Sequence, residues 1–284
     1  MELMRPAVVA DLKDVVDVVA GGMHTLCLTA DGKVWSFGCN DEGALGRRTS
    51  SLDGSETTPG TVEIPELVAR VTAGDSHSAA LTESGKVYLW GNFRDSKGQM
   101  GLITPGKAEP EPKLVISNIV QIASGIDHVA MLTAKGELLT MGCGEQGQLG
   151  WLSTRTETRR WKLVSGGKHH TLLLSEEGSV FSLGRKEYGR LGLGTSTPAN
   201  NDDQATPFQV PGLSGCVDIS CGEAVSYAID GEGRLHSWGF GTNGQLGHGG
   251  DDDLFEPKVV AGKFAGKKTL VVSGGGQHAV MLAT

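Results

Sequence analysis

Long apolar runs are missing from this 284-residue chain. No stretch approaches 18 consecutive apolar residues, which excludes a membrane-spanning helix. The opening residues, MELMRPAVVADLKDVV, lack a basic start and an apolar core, so no secretory signal is expected. A cysteine framework is missing as well. Cys27, Cys39, Cys143, Cys216 and Cys221 are odd in number and contain no C-x-x-C pair. Buried free thiols in a reducing compartment fit that pattern better than disulfides or a zinc site. Positive charge is in deficit: the net charge is −8 and the pI about 5.5. An acidic chain argues against strong non-specific binding to DNA or anionic membrane, while a basic partner or a small basic face remains compatible.

What the chain has in excess is glycine, 43 residues, with no collagen period. Many tight turns, and so many short strands, follow from that excess. Aligning the turn glycines exposes a repeat along the whole chain. Each unit opens on V-x-x-x-G-x-x-H, its last position filled by His24, His77, His128, His170, Val225 and His278. A glycine follows eight residues later in the first five units (Gly32, Gly85, Gly136, Gly178 and Gly233), flanked by apolar alternation as in TADGKVWSFG. Period-two alternation about a glycine predicts a hairpin. A G-x-L-G turn comes next, then a Pro-led segment after Pro59, Pro112, Pro207 or Pro257. Proline lacks a ladder donor, which makes this segment an outer strand.

Four short strands per unit predict an all-β fold, a β-propeller with units of about 51–55 residues. The units run approximately 15–66, 67–117, 118–160, 161–213 and 214–266, with a closing partial blade of 267–284 paired with 1–14 through the Pro6 segment. At most six blades are present, and two are incomplete. The unit at 118–160 lacks a Pro-led strand, and the last stops one strand into its hairpin.

The motifs GGMHTLCLTADGKVWSFGCNDEGALG, AGDSHSAALT, WGNFRD, GCGEQGQLG, SLGRKEYGRLGLG and GTNGQLG resemble the regulator of chromosome condensation family nearly end to end. The resemblance implies a seven-bladed propeller that acts as guanine-nucleotide exchange factor for the small GTPase Ran on chromatin, in the nucleus. It also implies a shortened member. The family's basic N-terminal tail is missing, as is about one blade and a long loop between Gly150 and Trp161. The family reaches DNA and the nucleosome with that tail and loop, so histone contact becomes an open expectation, as does a cytoplasmic location. Exchange activity is open to impairment by the same losses. A non-catalytic propeller binding a GTPase, a histone or another protein is the alternative. A monomer without membrane contact is expected.

Residues present in every unit are scaffold, whereas a polar residue confined to one unit is a better functional candidate. The position before the repeated histidine varies, and Asp127 and His169 are its unit-specific polar occupants. By resemblance these two are the exchange-critical residues, and Asp75, His24 and His278 are further GTPase-facing positions. One turn is also longer than the rest. Gly91 and Gly98 are seven residues apart in WGNFRDSKGQMG, against five in the other turns. The resemblance makes Phe93, Arg94, Asp95, Ser96 and Lys97 a wedge against the GTPase. No metal and no cofactor are expected, since GDP or GTP belongs to the partner. GFGTNG at 239–244 copies the repeated turn rather than a dinucleotide site. Asp251–Asp253 reads as a solvated loop, the pair His169–His170 lacks a third zinc ligand, and TRTETRRWK reads as a basic surface loop.

Overall fold

The computed structural model describes residues 8–9, 12–50, 54–150, 159–195, 203–264 and 266–284. The repeat units build six antiparallel sheets in chain order. The first consists of β1 (Val15–Ala20), β2 (His24–Thr29), β3 (Val34–Gly38) and β4 (Gly60–Val62). The second consists of β5 (Val68–Ala73), β6 (His77–Thr82), β7 (Val87–Gly91) and β10 (Glu109–Ile116). A separate hairpin, β8 (Arg94–Asp95) with β9 (Gly98–Gln99), is inserted before β10. Three strands form the third sheet: β11 (Ile119–Ser124), β12 (His128–Thr133) and β13 (Leu138–Gly142). The fourth holds β14 (Trp161–Gly166), β15 (His170–Ser175), β16 (Val180–Gly184) and β17 (Gln204–Gln209). The fifth holds β18 (Cys216–Cys221), β19 (Val225–Asp230), β20 (Leu235–Gly239) and β21 (Leu254–Val259). The last has two strands, β22 (Thr269–Gly274) and β23 (Ala279–Ala283).

Local chemistry produces this pattern. In the first sheet Leu28 lies opposite Val34 and Leu26 opposite Ser36, so the apolar alternation faces one side of the hairpin. The Pro-led segments are the fourth, edge strands of their sheets, as a missing N–H requires. Among the described residues the third sheet has three strands, in keeping with its short repeat interval.

Among the described residues the core is divided into several clusters. Apolar layers lie between consecutive sheets. Leu26, Val34, Val71 and Trp90 fill the first layer, and Leu89, Phe93, Ile122 and Met131 the second. The first strands of successive sheets crowd together and are cross-linked. Ser124 N donates to Thr72 Oγ1 at 2.9 Å, and Cys221 N to Ser165 Oγ at 3.0 Å. Side chains there must be small: a Cβ on Gly166 would lie 2.5 Å from Gly125 N.

The two sheets flanking residues 151–158 pack directly on one another, through Ala130, Leu132, Val164, Leu173 and Phe181. At the two ends of the series, one face of the first sheet and one of the last are exposed among the described residues. Val16 (63%) and Val18 (62%) on β1, and Val280 (64%) and Leu282 (59%) on β23, are exposed to an extent that no covering sheet permits. The expected pairing of 267–284 with 1–14 is not seen among the described residues: 8–9 and 12–14 form no strand. Pro6 itself lies outside the described residues. In the first and fifth sheets the outer strand bonds to the third strand, β4 to β3 and β21 to β20, and the last sheet has two strands among the described residues.

Candidate functional site

The turns between first and second strands gather on one face and are joined by their backbones. Gly22 N donates to Gly74 O (3.1 Å), Asp75 N to Ile126 O (2.8 Å), Ile126 N to Gly167 O (3.2 Å), Lys168 N to Glu223 O (3.0 Å) and Glu223 N to Gly275 O (3.1 Å). The turns after the third strands reach the same face, since Asn92 N donates to Ser76 O, Cys143 N to Asp127 O and Arg185 N to His169 O, each at 2.8 Å. Asp75, Asp127 and His169 therefore stand on three consecutive sheets, and Asp127 meets the 93–99 hairpin.

The repeated histidines point inward. His24, His77, His128 and His170 are buried, and each ring reaches a hydroxyl on the next sheet. The pairs are His24 Nε2 with Ser78 Oγ (2.8 Å), His77 with Ser124 (3.1 Å), His128 with Thr171 (2.9 Å) and His170 with Ser226 (3.0 Å). Ser78, Thr171 and Ser226 in turn donate to the carbonyls of Ala44, Gln148 and Arg190. Those hydroxyl protons are committed, so the rings of His24, His128 and His170 donate from Nε2. Burial holds His24 and His128 at a pKa of about 4 and His77 at about 3, and pushes His170 well below its ordinary value. These are neutral struts between blades. His24, one of the resemblance-implicated residues, is among them. His278 differs: it is exposed, and among the described residues no sheet covers it.

Of the residues just before the struts, Asp127 and His169 are the titratable ones. Asp127 is half-buried, and its pKa is raised to about 6 by that burial first and by the Asp75 carboxylate, against the Arg94 backbone N–H, which lowers it. His169 is likewise half-buried. Desolvation, then Arg190, Arg185 and Lys168, bring it to about 4. Carboxylates and cations meet across the face: Glu42 pairs with Arg94, Lys168 with Glu223 and Arg185 with Glu187, while Arg190 is buried beneath it. Perturbed titratable groups on such a face are a physical pointer to a binding site.

The longer turn folds as the hairpin. Phe93 is 1% exposed and lies in the apolar layer between the second and third sheets, its ring 4.7 Å from the His77 ring. It is the anchor, while Arg94, Ser96, Lys97 and Gln99 are exposed. Arg94 N donates to Asp127 Oδ1 (2.9 Å), and Arg94 Nη1 pairs with Glu42 Oε1 (3.0 Å). Ser96 donates to Glu145 from N (3.0 Å) and from Oγ (2.6 Å). At the tip, Lys97 N donates to Asp95 Oδ1 (2.8 Å).

Sequence reasoning missed Glu42, Asn92 and Glu145. An acidic residue precedes the turn glycine in several units, and only the neighbouring sheet decides which of them meets a donor. Among the other sequence features, Gly241 N within GFGTNG is taken by Asp253 Oδ1 at 2.8 Å, a loop brace that leaves this amide no free donor for a phosphate. Of TRTETRRWK, residues 154–158 lie outside the described residues, and the Arg159 guanidinium carbon stands 4.2 Å from the Phe181 ring centre.

Comparison with known proteins agrees with this architecture. Residues 2–163 match the RCC1-like domain, and residues 177–229 and 232–282 match the Regulator of chromosome condensation (RCC1) repeat. The chain is 39% identical to the Homo sapiens protein Regulator of chromosome condensation over 365 aligned positions, covering 99% of this chain and 86% of that protein. That span exceeds the chain's 284 residues, so the human protein carries further segments inside it. Among solved structures, human WBSCR16 superposes with a TM-score of 0.81 at 26% identity, over 95% of this chain and 72% of its own. Prp20p from Saccharomyces cerevisiae, whose structure was described with its binding properties to Gsp1p and histones, gives 0.63 at 26% identity, over 95% and 82%. By family match, by identity over nearly its whole length and by its repeated sheets, this chain is a shortened member of the regulator of chromosome condensation family.

Proposed function

We propose that the chain is a chromatin-associated, nuclear guanine-nucleotide exchange factor for a Ran-type GTPase. The observation that carries the reading is the placement of Asp127 and the 93–99 hairpin against each other on one charged face, within a chain of this family. Exchange of this kind needs no covalent step. A factor that binds the nucleotide-free GTPase more tightly than the loaded form lowers nucleotide affinity by the same coupling. A tenfold bias takes about 1.4 kcal/mol, within reach of a few charged contacts. Asp127 offers a half-buried carboxylate to a basic group of the GTPase, His169 a neutral imidazole, and the hairpin a projecting tip to push with. Asp75 shapes the field at Asp127. His24 acts as a strut beneath the face, and His278 contributes from its exposed position on the last sheet.

GDP release from Ran, followed with a fluorescent nucleotide, tests this directly. Acceleration at micromolar chain is expected, and its absence at that concentration overturns the exchange reading.

One observation favours a second reading, a propeller that holds a GTPase or histone without promoting release. The third and fourth sheets pack directly where the resemblance puts a missing blade, so Asp127 and His169 stand on adjacent turns. Binding of nucleotide-free Ran without release separates this reading from the first.

A further inference from the structure

A hairpin with two residues in each strand does not hold its own shape in water. Beyond Phe93, the 93–99 hairpin has little apolar burial to order it. Its order comes from carboxylates on both sides. Glu42, on the turn after β3, stands at its base. Its Oε2 accepts from Asn92 Nδ2 at 2.9 Å and its Oε1 from Arg94 Nη1 at 3.0 Å. Asn92 is fully buried, and its Oδ1 accepts from Gly101 N at 2.9 Å, so one side chain ties the two ends of the longer turn together. Glu145, on the turn after β13, stands at the tip and takes both Ser96 donors. Asp127 supports the stem between them through Arg94 N.

We propose that Glu42 and Glu145 are positioning residues for the hairpin, one from the sheet before it and one from the sheet after it, holding it in the projecting pose. Its importance for nucleotide release rests on the exchange reading above. Neither carboxylate needs to touch the GTPase. Each orders a segment that would otherwise lose conformational freedom on meeting its partner, and a preordered element presses harder for the same contacts.

The donor chemistry separates the two. Both groups that meet Glu42 are donors only, so Glu42→Gln turns an amide N–H toward one of them and loses that contact. The Ser96 hydroxyl both donates and accepts, so Glu145→Gln keeps two contacts: its oxygen accepts from Ser96 N and its amide donates to Ser96 Oγ. Glu145→Ala loses both.

Two readouts on the full chain decide the matter: hydrogen exchange of the 94–99 amides, and kcat against KM for GDP release from Ran. Glu145→Ala and Glu42→Gln are expected to speed hairpin amide exchange by about fivefold and to lower kcat by a similar factor, exposed charge-assisted contacts being modest. KM should stay within about twofold, since the GTPase-binding side chains are untouched. Glu145→Gln restores wild-type values in both readouts. Hairpin amides as protected in Glu145→Ala and Glu42→Gln as in the wild type overturn the proposal, as does a Glu145→Gln variant that behaves like Glu145→Ala. A wild-type chain that releases no GDP sinks the exchange reading alone, and the amide pattern still decides whether the two carboxylates hold the hairpin.

Discussion

The backbone N–H of Arg94 donates to Asp127 Oδ1 at 2.9 Å, so the carboxylate that the family resemblance makes critical for exchange also carries the stem of the projecting hairpin. Asparagine keeps that acceptor and removes the charge. Because burial raises the Asp127 pKa to about 6, the folded chain binds a proton that the unfolded chain releases near 4. Stability from this group therefore falls as pH rises from about 4 to 6. Asp127→Asn should leave the fold equally stable or more stable at pH 7, by about 1 kcal/mol after allowance for solvent screening. It should nevertheless slow GDP release at least tenfold, the loss expected when one charged contact to the partner goes. Melting temperature and release rate, measured on one preparation, check both halves.

The buried histidines give the opposite pH dependence. His24, His77 and His128 have folded pKa values of about 4, 3 and 4, below the ordinary value of 6.5. The unfolded chain takes up protons that the folded chain refuses. Stability is full above about pH 6.5 and falls toward pH 4, by on the order of 2–3 kcal/mol per strut. Several struts outweigh the one carboxylate. Urea melts at pH 7 and pH 5 should show a clear drop in midpoint, and equal midpoints would mean that the rings are not buried as described.

Gly125 tests the packing of one strut. A Cβ there would lie 2.0 Å from His128 Cε1 and 2.4 Å from the Gly167 carbonyl. Neither neighbour has room to yield. Gly125→Ala should destabilise the chain by about 2–4 kcal/mol, as overpacking at a closed site does. The measurement is chemical denaturation.

Phe93→Ala probes the anchor of the hairpin. The ring is 1% exposed in the apolar layer with Leu89, Leu102 and Met131. Its removal should cost about 3–4 kcal/mol of global stability. Lys97→Ala at the exposed tip should cost under about 0.5 kcal/mol. A Phe93→Ala chain as stable as wild type would place the ring on the surface instead.

The exposed faces of β1 and β23 make their own prediction. Val16, Val18, Val280 and Leu282 are an apolar surface of the kind that binds hydrophobic dyes and promotes association. The double variant Val18→Thr, Val280→Thr should lower dye fluorescence and light scattering while leaving the melting temperature nearly unchanged. Unchanged fluorescence would mean that these faces are covered in solution.

Much of this protein was determined by sequence alone. The hairpins around Gly32, Gly85, Gly136, Gly178 and Gly233 and the Pro-led edge strands are short-range matters, written in alternation and turn chemistry. The repeated histidines could be read as framework because they recur, while Asp127 and His169 stand out because they do not. Only the tertiary structure decided which distant groups meet. Glu42 and Arg94 are 52 residues apart in the chain, and Glu145 and Ser96 are 49 apart. Acidic residues occur at that turn in several units, and nothing local distinguishes the two that hold the hairpin from Glu187, which pairs with Arg185 on its own sheet. Likewise, only the tertiary structure leaves Val18 and Val280 exposed, because exposure depends on which sheet packs over a face and not on a strand's own alternation.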